Sequence, residues 1–289
     1  MGRASGAQVS EGLEDVTVTT SEICFIDGER GRLLYRGIDV EDLAASSTFE
    51  ETAYLLCYGH LPSRPELAAC REALATQRAL GTEVLAMLRG APKDALPMAV
   101  LRTAVSMMAH TDPDAKDDSG EANLRKALRL IGGFPTAVAA LGRIREGREP
   151  VEPRAELSVA ANFLWMLHGH DPVPIFVRAL ETALILHAEH ELNASTFAAR
   201  LTASTLASLH AAIASAMAAL SGPLHGGANE RVIETLLGLK DVSAVVPYVR
   251  EILARGERVM GFGHRVYKGE DPRAFFLRQL ADELTVRTG

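Results

Sequence analysis

The sequence predicts an all-α fold of two domains with a minor β element at its N-terminal end. Three observations predict it. Alanine and leucine dominate a 47% apolar content while aromatic residues make up only 5%, a balance that favours helices over strands. Helix-opening signatures recur along the chain, and strand-like alternation is confined to the first forty residues. A length of 289 residues suits one large domain or two modest ones and buries enough surface to need no disulfide or metal staple.

From Asp15 to Gly37 the chain reads as extended, with Val16 and Val18 alternating with threonines. Asp27-Gly28 marks a turn between Ile23-Cys24-Phe25-Ile26 and Leu33-Leu34-Tyr35. Ser47 with Glu50 forms a capping box for a helix that stops near Gly59, and Ser63 with Glu66 opens another that runs towards Ala75. Pro97 to Ala109 is a helix apolar on more than one face, suited to deep burial or a subunit interface. Thr111 to Gly120 is an acidic surface loop, followed by helices from Glu121, from Phe134-Pro135 and from Leu157. A long apolar helix is expected from an Asp171 cap through His187-Ala188-Glu189-His190-Glu191. Thr202 to Ser221 is crowded with small residues that admit another backbone closely. The glycine-rich run Ser221 to Asn229 divides a large domain, 1–220, from the start of a small one, 221–289. Helices are expected after it from Glu230, up to Arg255, and finally to Thr285.

A net charge of −7 argues against a nucleic-acid partner, yet leaves room for a few focused arginines to grip a small anion. Three cysteines, Cys24, Cys57 and Cys70, form an odd set without metal spacing and read as reduced thiols. The N-terminal stretch has no apolar signal core and no run of about 18 apolar residues occurs, so the expected location is cytoplasmic, with no membrane partner.

Three histidine-bearing segments carry chemical promise. In Gly222-Pro223-Leu224-His225-Gly226-Gly227-Ala228-Asn229 a histidine sits between glycines ahead of a helix, whose positive end favours a neutral, hydrogen-donating imidazole. A loop histidine beside a cap explains the same pattern. In Gly261-Phe262-Gly263-His264-Arg265-Val266-Tyr267-Lys268, with Asp271-Pro272-Arg273 following, a polarising imidazole and a carboxylate-clamping guanidinium would suit a keto-acid. A phosphate loop or a basic turn remains open. His187 and His190, spaced i, i+3, would share one helix face, but HAEH lacks zinc-hydrolase spacing and no metal is expected.

Taken in order, HAEHELNAST, GPLHGGANE and GFGHRVYKGEDPR resemble the citrate synthase family, and SEICFIDGERGRLLYRGIDVEDLA is similar to that family's opening segment. The resemblance implies a two-domain helical homodimer that condenses acetyl-CoA, a co-substrate rather than a resident cofactor, with oxaloacetate to give citrate. It implies that His225 donates to the thioester carbonyl during enolisation and that His264 polarises the oxaloacetate ketone. His190 and Arg273 would bind oxaloacetate. Arg258, Val259, Met260 and Gly261 would wrap the CoA adenine, with Arg265 or Lys268 near its phosphates. The family's proton-abstracting aspartate lies in a motif beyond Gly289, so an incomplete chain is expected. Three alternatives stay open: a 2-methylcitrate synthase using propionyl-CoA, a non-catalytic paralogue that binds oxaloacetate or dimerises, and, from another class, a zinc-dependent hydrolase using His187 and His190.

Overall fold

The expected hairpin is present: β1 (Cys24–Asp27) pairs antiparallel with β2 (Arg32–Tyr35), with Cys24 opposite Tyr35 and Asp27 opposite Arg32. A two-residue β3 (Ile38–Asp39) adds to its edge. The structure, a computed structural model, describes residues 18–264 and 266–288. Val16 therefore lies outside the described residues, and Val18 to Thr20 form no strand.

Helices follow. Asp39 caps α1 (Val40–Ser46). The next helix, α2 (Phe49–Tyr58), starts one residue later than its expected box. Thr48 and Glu51 cap it, with the Glu51 carboxylate accepting the Thr48 N–H at 2.7 Å. Glu50 serves a remote partner instead. Only 1% exposed, it accepts the Val159 N–H at 2.7 Å, satisfying an orphan donor at the start of a helix more than one hundred residues away. The Ser63–Glu66 pair opens α3 (Arg64–Thr76) as expected, with the Ser63 N–H donating to Glu66 at 2.8 Å. Then come α4 (Thr82–Gly90) and α5 (Pro97–Thr111). α5 buries one face, Val100, Leu101, Ala104 and Val105, and turns Arg102, Thr103 and Ser106 outwards.

The two helices expected after the acidic loop are one, α6 (Gly120–Arg145), with Pro135 inside it. By length and composition α6 is long and apolar enough to cross a bilayer, but it is a core helix here, packed against α3, α4 and α5. Gly132 and Gly133, in the turn before Pro135, let its backbone lie on the end of α3. A Cβ at Gly132 would sit 2.7 Å from the Leu74 carbonyl oxygen.

Ser158 caps α7 (Val159–His168), and α8 (Pro174–Leu186) starts two residues after the expected Asp171-Pro172 because Pro174 takes the first turn. α8 also ends earlier than expected, at Leu186. α9 (Ala194–Ser204) and the Ala-rich α10 (Leu209–Leu220) pack on each other, and α10 packs on α5, as the small residues anticipate. The chain finishes with α11 (Gly227–Gly238), α12 (Val245–Ala254) and α13 (Pro272–Thr288).

One core joins α4, α5, α6 and α10 through Val84, Leu88, Val105, Leu130, Ala140 and Met217. A second joins the hairpin to α1, α2 and α8 through Cys24, Leu33, Tyr35, Leu43, Leu55 and Ile185. Phe276 and Leu277 of α13 pack on this second core, so the last helix returns to the first strands.

The close approach at Gly132 has a measurable cost. Gly132→Ala should lower stability by about 1–2 kcal/mol in urea unfolding, because forced overlap with backbone outweighs the alanine helix preference. Gly90→Ala, with nothing within 4 Å of the added carbon, should not.

Candidate active site

The site is built where the end of α8 meets the loop between α12 and α13. Because α8 stops at Leu186, the expected sharing of one helix face by His187 and His190 is not what the chain adopts. His187 closes the helix, its ring Nδ1 2.7 Å from the Ala183 carbonyl oxygen, and is exposed. His190 lies in the following loop and turns inwards. Its Nε2 is 3.2 Å from the Tyr267 hydroxyl, and its ring stands edge-on to His264 with centroids 5.2 Å apart.

His264 follows Gly261 and Gly263, both with φ near +90° (88° and 86°), so the glycine pair is required by the backbone it adopts. The N–H groups of Val266 and Tyr267 both donate to His264 Nδ1, at 3.0 and 3.2 Å. A nitrogen that accepts two N–H bonds carries no proton. The neutral ring therefore holds its proton on Nε2, where it is a donor.

Arg273, at the start of α13, forms a two-point ion pair with Asp271, Nε to Oδ1 at 2.9 Å and Nη2 to Oδ2 at 2.6 Å. The Asp271 Oδ1 also accepts the Arg273 N–H at 3.0 Å, so the guanidinium is aimed by its own helix cap. Burial pushes the Asp271 carboxyl up, but the hydrogen bonds from Arg273 outweigh it and hold the group ionised below its ordinary range.

Electrostatics keep both rings neutral. Burial, then the positive charge of Arg273, pushes His190 down to about 4. Burial also lowers His264, with Asp271 and Arg273 acting in opposite directions. Burial raises Tyr267 to about 12, so its hydroxyl keeps its proton.

His225 precedes α11, whose first turn begins at Gly227, as the glycine-flanked motif implies. Gly226 is needed because a Cβ there would lie 2.5 Å from the Leu220 carbonyl oxygen. His225 Nε2 is 2.9 Å from Ser195 Oγ, which is 2.7 Å from Asn193 Oδ1. The Ser195 hydroxyl donates to Asn193 Oδ1, so its oxygen can accept a proton from His225 Nε2.

Among the residues expected to meet CoA, Arg258, Val259, Met260 and Gly261 form an exposed or half-buried turn against Val232 of α11, and Lys268 is exposed. Arg265 lies outside the described residues. The structure thus brings His190, His264 and Arg273 together and gives His225 its own partner in Ser195. Tyr267, Asp271 and Ser195 are not singled out by the sequence, although each lies inside a motif that carries the chemistry. An apolar cavity of about 570 Å³ lined by Phe134, Pro135, Phe163, Leu184 and Ile213 shares no residue with the cluster and offers no group to hold an anion. No cluster of metal-ligating side chains occurs among the described residues.

Two imidazoles beside an anchored guanidinium make up the cluster, in an almost wholly helical chain. The family model described as "Citrate synthase, C-terminal domain" matches residues 12–289. Citrate synthase 2 of Bacillus subtilis (strain 168) is 46% identical over 281 residues, 97% of this chain and 75% of its own length. A 2-methylcitrate synthase of Mycobacterium tuberculosis is 40% identical over 282 residues, 97% of this chain and 71% of its own. A ternary complex of carboxymethyl coenzyme A and oxaloacetate with the citrate synthase of Thermoplasma acidophilum superposes with a TM-score of 0.91 at 34% identity, covering 97% of this chain and 74% of that one. The chain belongs to the citrate synthase family and is an acyltransferase of that type. It spans about three quarters of the length of these relatives.

The neutral state of His190 is directly measurable. In an NMR titration its ring should take up a proton near pH 4, against about 6.5 for the unfolded chain. Between those values the unfolded state binds more protons, so this residue's contribution to stability is complete above pH 6.5 and declines as pH falls towards 4. Arg273→Met should raise the His190 midpoint by removing a nearby cation.

Proposed function

We propose that the His190, His264 and Arg273 cluster holds oxaloacetate, and that His225 acts on the acyl-CoA. The observation that carries this reading is the His264 ring. With Nδ1 committed to two backbone N–H groups, its Nε2–H is a rigid donor suited to a ketone oxygen. It can give up its proton as the new alkoxide forms. Arg273 spends Nε and Nη2 on Asp271, which leaves its Nη1 edge for a substrate carboxylate. His190, kept neutral, binds the keto-acid as a hydrogen-bonding partner without adding charge.

Removing a proton from the methyl group of acetyl-CoA requires stabilising the enolate oxygen, for which an oriented neutral donor in a water-poor site is the available lever. His225, at the positive end of α11, fits that role when Ser195 turns its hydroxyl towards Nε2 and the proton resides on Nδ1. The enolate carbon then attacks the ketone carbon, the C=O bond electrons pass to oxygen, and that oxygen takes the Nε2 proton of His264, leaving an imidazolate that recovers a proton from the acid formed when the thioester is hydrolysed. Hydrolysis of the resulting thioester releases CoA. Asp271 is bound to Arg273, and Asp282 lies on an exposed position of α13, so neither is assigned the methyl proton. The base that the family resemblance implies lies outside these residues. The turn at Arg258 to Gly261, with Arg265 or Lys268, is assigned to CoA. The division into domains at 220/221, the homodimer and the cytoplasmic location belong to the same proposal.

Role separation is the test. His225→Ala should abolish exchange of the acetyl methyl protons with solvent while leaving oxaloacetate binding within about twofold. Arg273→Ala should weaken oxaloacetate binding by about 10²-fold, the cost of removing one member of a charged hydrogen-bonded contact. Equal losses in both assays would refute the assignment. Assayed with both acyl-CoAs, the protein should form citrate from acetyl-CoA faster than 2-methylcitrate from propionyl-CoA. The opposite ratio selects the propionyl reading, which the Mycobacterium tuberculosis relative supports. Oxaloacetate-dependent stabilisation without CoA release selects the non-catalytic one.

A further inference from the structure

The N-terminal hairpin touches both halves of the proposed oxaloacetate site, one at each of its ends. At the open end, Tyr35 is fully buried. Its hydroxyl proton is shared between the carbonyl oxygens of Ile185 and Leu186, at 3.1 and 3.2 Å, and its oxygen accepts the Glu189 N–H at 3.3 Å. Directly opposite Tyr35 in the hairpin register stands Cys24, buried in the same core. The backbone N–H just before His190 is thus held by the open end of the hairpin.

At the turn end, the Lys268 N–H donates to the Gly28 carbonyl oxygen at 3.0 Å. A Cβ on Gly28 would lie 2.3 Å from the Val266 carbonyl oxygen, and one on Gly31 would lie 3.0 Å from that of Glu270. The need for glycine at position 28 is one of space, since no other side chain lets the 266–268 backbone come this close. Val266 is also the residue whose N–H, with that of Tyr267, holds His264 Nδ1. The turn therefore supports the Val266–Tyr267 peptide unit, whose N–H is one of the two that set the His264 tautomer.

We propose that the β1–β2 hairpin is the positioning element of the site: Tyr35 fixes the segment bearing His190, and Gly28 fixes the loop bearing His264, so that one rigid ribbon sets the separation of the two imidazoles. Tyr35 and Gly28 are positioning residues that act through those histidines. The inference rests on the reading of His190 and His264 as the oxaloacetate site.

The test compares Gly28→Ala, Tyr35→Phe and a remote core control, Leu88→Ala, using the 289-residue chain. The readouts are the ¹⁵N shifts of the His264 ring and the oxaloacetate dissociation constant from calorimetry. Wild type should show a single Nε2–H tautomer at His264. Gly28→Ala should turn this into a mixture of tautomers and weaken oxaloacetate binding by at least about tenfold, as a sub-ångström misplacement of a binding group does. Tyr35→Phe, which keeps the shape, should leave the His264 tautomer intact and weaken binding about two- to tenfold. Leu88→Ala should lower the melting temperature while changing neither readout. Wild-type tautomer and affinity in Gly28→Ala, or wild-type affinity in Tyr35→Phe, would overturn the proposal, as would equal changes in the control. Failure of wild type to bind oxaloacetate would instead refute the functional reading, while the tautomer comparison would still decide the role of the turn.

Discussion

A phenol hydroxyl enclosed completely by protein must spend its hydrogen bonds inside, because leaving it unpaired costs about 1–3 kcal/mol. Tyr35 spends them on the last carbonyls of α8 and on the N–H of Glu189, 150 or more residues along the chain. That contact ends the helix, starts the loop that carries His190, and fastens the β1–β2 hairpin to the middle of the sequence. The second core collects around it from β1, β2, α1, α2 and α8, and α13, which begins with the Arg273 turn, packs on the same core. The His190 loop and α13 consequently share one rigid support.

The same contact explains why the sequence can be read so far and no further. Local signals are legible where the governing interaction is local: the Asp27-Gly28 turn, the Ser63–Glu66 box and the glycines before His264. The end of α8 is not legible. Leu186-His187-Ala188-Glu189 contains no breaker, and what stops the helix there is tertiary. The capping frame at residues 47–51 shifts by one for a related reason. Two overlapping boxes are written in the sequence, Ser47 with Glu50 and Thr48 with Glu51, and only the remote demand of the Val159 N–H on Glu50 chooses between them. Pro135 reads as a helix start because proline suits the first turn. In the folded chain it lies within α6, after a glycine pair that the end of α3 packs against.

The site residues are legible as motifs but not as geometry. Spacing alone places His187 and His190 on equal footing, whereas the fold leaves one exposed at a helix end and turns the other towards Tyr267. Tyr267, Asp271 and Ser195 orient the named residues, and their importance appears only when the loops are folded. The electrostatic design is likewise a property of the assembled site. An acidic protein of net charge −7 presents an anchored arginine and two imidazoles, one half-buried and one exposed, both shifted towards the neutral form. Neutrality suits them as hydrogen-bond partners: a neutral imidazole with a fixed tautomer offers one aimed proton and adds no charge to the site.

The central claim is that His264 meets the oxaloacetate ketone through Nε2 while its other nitrogen stays bound to the 266–267 backbone. A crystal structure of this chain with oxaloacetate measures it most directly. The account predicts the ketone oxygen at about 2.6–3.2 Å from His264 Nε2, a substrate carboxylate on Arg273, and both backbone N–H groups still on Nδ1. Oxaloacetate bound away from this cluster, or a ring flipped to present Nδ1 to the ketone, would contradict it.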